Sequence, residues 1–283
     1  MTSPGTRAAD QDLRYGRRKL ELYLRHGEGL VDGWLDPYSA RLITALSGIQ
    51  AAHGVTGGVG EIGVHEGRLM LLLLLLTRPG EAAFVCDLFE QQHLNVDRSG
   101  RGNEEIFDAN LARFCGPAEF LVKYRCSSFD LRADDILKTT GTIRLFSVDG
   151  GHTPECAFND VSIAAAVLSD GGIAIIDDYF NADWPGVSEG VARYLAMPDA
   201  RLCPFAVSPN KLFLTTRGKG PPYAAALGGM GFAPAKSASM FGHPVTIHRQ
   251  TTRRSPLARA LAPYVWSARS WLYRLDATVR RGS

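Results

Sequence analysis

The residues best suited to chemistry lie in two short stretches, Val148-Asp149-Gly-Gly-His152 and Ile176-Asp177-Asp178-Tyr179. Three carboxylates brought together repel one another unless a cation joins them. An all-oxygen set of this kind suits a hard ion such as Mg²⁺ better than zinc, and an adjacent imidazole can take up a proton near neutral pH. Taken singly, each acid is as consistent with a helix cap, and His152 with a structural hydrogen bond. Only the set of Asp149, Asp177 and Asp178 points to a metal.

Stepping outward, the segments that carry these residues are Ile143 to Val148 and Gly172 to Ile176, two apolar, β-branched-rich runs bounded by glycine. A helical segment from Pro154 to about Ser169 separates them. This is the pattern of a βαβ unit in a parallel sheet. The acids then stand at the carboxyl ends of neighbouring strands, where open α/β sheets bind ligands.

A glycine-rich segment lies upstream, Gly57-Gly-Val-Gly60-Glu61-Ile-Gly63-Val-His65-Glu66-Gly67, followed by a leucine-rich helix. Two registers compete here. Gly58, Gly60 and Gly63 spell a dinucleotide fingerprint, but no apolar strand precedes Gly58. The better register takes Val59 to Val64 as a strand and makes Glu61, Gly63 and Gly67 the functional positions, with free N–H groups at the helix start. A second strand, Ala82 to Cys86, ends in Asp87, about 20 residues beyond the glycines, where many nucleotide-binding folds place the acceptor for ribose hydroxyls. Phe89 to Asn103 is polar, glycine-containing and longer than most βα loops, and reads as a lid or substrate loop.

The remaining elements follow from capping and periodicity. Asp36-Pro37 starts a helix that stops near His53-Gly54. Glu104 to Cys115 reads as a helix, Phe120 to Tyr124 as a strand, and Ser127 to Asp130 as a turn. Val187 to Met197 reads as a helix, with strands at Pro204 to Val207 and Lys211 to Thr216. Gly218 to Pro222 reads as a linker, and Pro244 to His248 as a short strand. The expected division is a helical cap over 1–56, a core over 57–217 and a C-terminal extension over 218–283.

At 283 residues and 45% hydrophobic, the chain has ample material for a core. Its five cysteines are scattered, form no C-x-x-C pair, and fit a reducing, cytoplasmic setting. The start of the chain lacks the apolar run of a signal peptide, and Leu69 to Leu76 is far short of the roughly 20 residues needed to span a bilayer. A net charge of +2 gives no indication of a nucleic-acid partner. The charge is uneven, with eight arginines and one acid from Arg249 onward. Leu257, Leu261, Val265, Ala268, Leu272 and Leu275 recur there at helical spacing. Such a helix either docks on its own domain or a sister subunit in a homo-oligomer, or contacts an anionic membrane surface or acidic glycan.

These motifs, in this order, resemble class I S-adenosylmethionine-dependent methyltransferases over roughly Gly57 to Thr216. Glu61-x-Gly63-x-x-x-Gly67 is similar to the family's first motif, Asp87 to its ribose-binding acid, and Ser127-Ser128 falls at its adenine-contacting turn, where many relatives carry an acid. Asp149-Gly-Gly-His152 with Asp177-Asp178-Tyr and Asp183-Trp-Pro-Gly resembles the metal-dependent sugar O-methyltransferases of macrolide and aminocoumarin pathways. The resemblance implies a doubly wound, mostly parallel, seven-stranded Rossmann-like sheet with an antiparallel final strand. It also implies S-adenosylmethionine as cofactor, Mg²⁺ on Asp149, Asp177 and Asp178, His152 with Asp149 as the catalytic pair, and a small-molecule or glycan acceptor. A catechol-type enzyme is the near rival, although that group carries Asp-Asn where this chain has Asp177-Asp178. A dehydrogenase leaves the acids unexplained, and so does a non-catalytic cofactor-binding scaffold.

Overall fold

The computed structural model describes residues 16–249; the arginine-rich segment with its expected helix lies outside them. Among the described residues one nine-stranded sheet runs in the order β3-β2-β1-β4-β5-β7-β6-β9-β8. Its strands are β1 (Gly58–Ile62), β2 (Ala83–Cys86), β3 (Leu121–Tyr124), β4 (Ile143–Val148), β5 (Leu168–Ile176), β6 (Leu202–Val207), β7 (Leu212–Thr216), β8 (Lys236–Met240) and β9 (His243–Ile247). The first five strands are parallel, and β7 lies antiparallel between β5 and β6. The strand order reverses between β1 and β4, which opens a crevice at their carboxyl ends.

Helices α1 (Pro37–Ala52), α2 (Arg68–Leu75), α3 (Glu104–Phe114), α4 (Ala133–Thr140), α5 (Pro154–Val167), α6 (Pro185–Leu195) and α7 (Gly220–Gly229) accompany the sheet. Side chains alternate across a strand, so both faces need apolar residues. Val85, Leu145 and Ile175 join the core that includes α1, α2 and α7, while Phe84, Phe146 and Ile176 join the core that includes α5 and α6. This is why the strands read as continuous apolar runs. Asp36 Oδ1 accepts from the amides of Tyr38 and Ser39 at 3.0 and 2.9 Å, so α1 begins where the Asp-Pro pair predicts.

Two expectations are corrected. The sheet has nine strands rather than seven, because β9 pairs in parallel with β6 and β8 pairs with β9. Gly218 to Pro222 is no linker. Gly218 makes a left-handed turn, prolines stand in the first turn of α7, and Tyr223 and Leu227 are buried. The glycine register is also resolved: Gly58 and Gly60 lie inside β1, and a Cβ at Gly60 would stand 2.0 Å from the Phe84 ring. Close packing of strands, not a nucleotide, requires that glycine. No helix among the described residues is long and apolar enough to cross a membrane.

Arg144, fully buried in β4, donates Nε and Nη2 to the two Glu81 carboxylate oxygens at 2.8 Å each. Nη1 reaches Ser47 and Gln50, and Nη2 also reaches the Leu76 carbonyl. Arg144→Met is expected to lower stability by about 1–3 kcal/mol, since it takes two hydrogen bonds from the largely buried Glu81 and leaves Arg78, 3.8 Å away, as its remaining counter-charge. Urea unfolding tests this, and a loss below about 1 kcal/mol would show that the pair is dispensable.

Candidate functional site

The backbone ladder continues one residue beyond the strand ends. Asp87 N donates to the Tyr124 carbonyl (3.1 Å), Gly63 N to Cys86 (2.9 Å), Asp149 N to Ile62 (2.9 Å) and Asp177 N to Val148 (3.0 Å). Gly63, Asp87, Asp149 and Asp177 therefore form a row along the top of the sheet. Above them is a cavity of about 720 Å³, walled in part by Gly63, Asp87, Ser127, Ser128, Asp149, His152, Asp177 and Asp178. That is within the usual range for a ligand site.

At one end of the cavity, Asp149, His152 and Asp178 each offer an atom that could ligate a cation, all within 4.8 Å of one another. Burial and the charges of Asp177, Glu61 and Asp178 push the Asp149 carboxyl well above its ordinary range, against Lys211. Asp178 adopts a left-handed φ of 55°, which aspartate tolerates better than most residues. Burial would raise Asp178, but hydrogen bonds from His152, Asn181 and Asn210 outweigh it and hold its carboxyl at about 2. Asp177 stands apart from the sequence expectation. Its carboxylate lines the cavity but is paired with the buried ammonium of Lys211, and Asn210 Nδ2 bridges Asp177 Oδ1 and Asp178 Oδ1 at 2.7 and 2.8 Å. The convergent group is thus Asp149, His152 and Asp178, with Asp177 behind them.

This donor set fits a divalent cation. Asp149, Asp177 and Asp178 stand beside the buried Lys211 and beside His152, which is shared with Asp97, and clustered carboxylates are stabilised by added positive charge.

His152 is clamped. Its Nδ1 lies 2.9 Å from Asp97 Oδ2, its Nε2 lies 3.2 Å from Asp178 Oδ2, and its ring stacks on Trp184 at 4.2 Å and 23°. Burial favours the neutral ring, but the hydrogen bonds and charges of Asp178 and Asp97 prevail and raise its pKa. Trp184 therefore packs on the candidate base.

At the other end, Gly63 has a φ of +81°, and a Cβ there would lie 1.8 Å from the Asp149 carbonyl oxygen. Glu61, 2% exposed, keeps one carboxylate oxygen without a hydrogen-bond partner. Burial pushes its carboxyl up to about 8, against Ser147 and Lys211. Asp87 Oδ2 accepts from the amides of Val64 (2.6 Å) and His65 (3.0 Å), and Oδ1 from Phe89 (2.7 Å). That leaves one of roughly four acceptor positions for a ligand hydroxyl. Ser127 and Ser128 lie on the wall, the latter anchored by Asn159 Nδ2 on its carbonyl at 3.0 Å. Glu61 and Gly67 are not on the wall. Gly67 starts α2 with φ +93°, and a Cβ there would meet the Phe107 ring at 2.6 Å, so packing requires it.

Asp87→Ala is expected to weaken cofactor binding by about 1–3 kcal/mol, since a hydroxyl loses its acceptor and three loop amides lose theirs. Calorimetry decides, and unchanged affinity removes Asp87 from the site.

Sequence reasoning missed Asp97, Asn210 and Lys211 as site residues. Asp97 sits in a polar loop with no motif. Asn210 and Lys211 precede a strand whose antiparallel register alone brings them opposite Asp177.

Residues 61–179 match a family described as "Methyltransferase domain". The matched segment carries Gly63, Gly67, Asp87 and the acidic pair, the residues through which the motifs resemble a methyltransferase. No curated protein matches the chain. Among solved structures, that of the O-methyltransferase NovP shares the fold at 18% identity and a TM-score of 0.52, covering 63% of this chain and 80% of that one. CalS11, a TDP-rhamnose 3'-O-methyltransferase of calicheamicin biosynthesis, aligns at 18% identity and a TM-score of 0.44, covering 77% and 96%. An O-methyltransferase from Bacillus cereus aligns at 13% identity and a TM-score of 0.49, covering 70% and 89%.

Proposed function

We propose that this protein is an S-adenosylmethionine-dependent O-methyltransferase that uses Mg²⁺ or another hard divalent cation to methylate a hydroxyl of a sugar or glycoconjugate. The observation that carries this reading is the meeting of Asp149, His152 and Asp178 in the same cavity as Gly63 and Asp87. S-adenosylmethionine supplies an already activated methyl group on a sulfonium centre. A divalent cation supplies Lewis acidity that eases ionisation of a weakly acidic hydroxyl.

The chain's own residues do the rest. Asp87 would accept from the ribose, Ser127 and Ser128 would flank the adenine, and Gly63 leaves room for the cofactor, while Glu61 lies behind the wall and does not reach it. Asp149 and Asp178 would hold the cation, with Asp177 and Lys211 fixing the charge behind them. His152 Nε2 takes the hydroxyl proton, and the Asp178 carboxylate stabilises the imidazolium formed. Together these groups would hold and orient the acceptor hydroxyl for transfer.

The same reading places the protein in a reducing cytoplasm, as a homo-oligomer with a small-molecule or glycan acceptor and no nucleic-acid partner. The basic segment after residue 249 serves either assembly or an anionic surface. Calorimetry with S-adenosylmethionine and with NAD, each with and without Mg²⁺, tests the reading: binding of NAD alone sinks it.

A further inference from the structure

We propose that Asp97 is the positioning residue of His152: from the loop between β2 and α3, its carboxylate holds the imidazole by Nδ1–H and leaves Nε2 directed at Asp178. The proposal rests on the reading of His152 as the base. It stands on geometry that crosses 55 residues of sequence. Asp97 Oδ2 accepts from both the backbone amide of His152 at 2.5 Å and the ring Nδ1 at 2.9 Å. Oδ1 accepts from the amide and hydroxyl of Ser99 at 2.9 and 2.6 Å. A side chain only 10% exposed thus receives four donors, which fixes the carboxylate in rotation as well as place.

With a carboxylate at each ring nitrogen, both favour a donor N–H; the shorter Asp97 contact holds the proton on Nδ1, which leaves Nε2 as the nitrogen whose proton is exchanged with the site. That nitrogen faces the acidic group, where an acceptor hydroxyl would be presented. Trp184 stacks on the ring and fixes its plane, so rotation about the ring axis is opposed by Asp97 at one end and by Trp184 on the face. The loop is shaped to deliver Asp97. Asn95 Nδ2 bonds the Ser99 carbonyl at 2.6 Å and Gln92 Oε1 at 3.0 Å, and Asn95 Oδ1 accepts from Arg98 N at 3.0 Å.

The placement has a consequence for acceptor binding. Leu94 and Val96, 43% and 69% exposed, stand on the same loop and line the cavity. Any acceptor that touches them presses on the segment that orients the base, so occupancy of the cavity and the set of His152 are joined through one stretch of chain.

The test is nuclear magnetic resonance on metal-free protein labelled with ¹⁵N-histidine, with His152 assigned by its loss in His152→Gln. The wild type should show a His152 Nδ1–H resonance in the downfield region of carboxylate hydrogen bonds, protected from exchange with water. Asp97→Ala should lose it. Asp97→Asn, which keeps the volume and an acceptor oxygen, should restore it with an upfield shift. Absence of the resonance in the wild type, or its survival in Asp97→Ala, overturns the proposal. If Asp97→Ala does not fold, an unshifted resonance in Asp97→Asn overturns it. The signal is read without cofactor or acceptor, so a chain that shows it yet transfers no methyl group refutes the functional reading and leaves the positioning intact.

Discussion

Removal of the divalent ion should abolish methyl transfer, and Mg²⁺ should restore it. The physical ground is charge. Asp149 has its carboxyl pushed upward by burial and by Asp177, Glu61 and Asp178, with Lys211 alone opposing, so an added cation is favoured where these acids converge. Asp149→Asn and Asp178→Asn should each cost about 10³-fold or more in kcat/KM, the equivalent of several kcal/mol of transition-state stabilisation. Asp177→Asn acts differently, because it leaves Lys211 buried without its partner and should also lower stability, by about 3–5 kcal/mol. Full turnover by protein shown to be metal-free in EDTA would make the acidic group structural.

Replacing His152 by alanine should lower kcat by about 10²–10⁴-fold, the usual contribution of a positioned general base. Binding of S-adenosylmethionine and of metal should persist, since the Gly63 and Asp87 end of the cavity does not depend on the ring and Asp149 and Asp178 remain. The ring is held by Asp97, Asp178 and Trp184, so the substitution also removes a packed aromatic contact, and thermal unfolding should accompany the kinetics. A drop in kcat at unchanged melting temperature isolates the chemical role. An unaffected rate would transfer that role to Asp149 or to water.

Much of this architecture is local information, and local information is legible in a sequence. An apolar run ending in acid must put that acid at a strand's carboxyl end, because alternation and two covered faces leave no other place for it. The strand-end positions of Asp149, Asp177 and Asp87 are therefore legible from the sequence. The Asp36-Pro37 cap is legible for the same reason, since capping chemistry lies within four residues. The resemblance of the glycine loop and acidic pairs to methyltransferases likewise needs only order and spacing.

The rest depends on which distant strands and loops meet. Ile176 pairs with Leu212 in an antiparallel register, which sets Lys211 opposite Asp177, 34 residues away, and takes that acid out of the convergent group. A one-residue slip would have pointed Lys211 to the other face, and nothing in the neighbourhood of either residue specifies the register. Gly60 and Gly67 look like ligand glycines in sequence, yet their missing Cβ atoms make room for Phe84 and Phe107, side chains that arrive from other elements. The edge pairing of β9 with β6 and the docking of α7 depend on the same long-range packing. Asp97 is the clearest case. Its loop has no periodicity, and only the path of the chain over the cavity carries that carboxylate to the ring of His152.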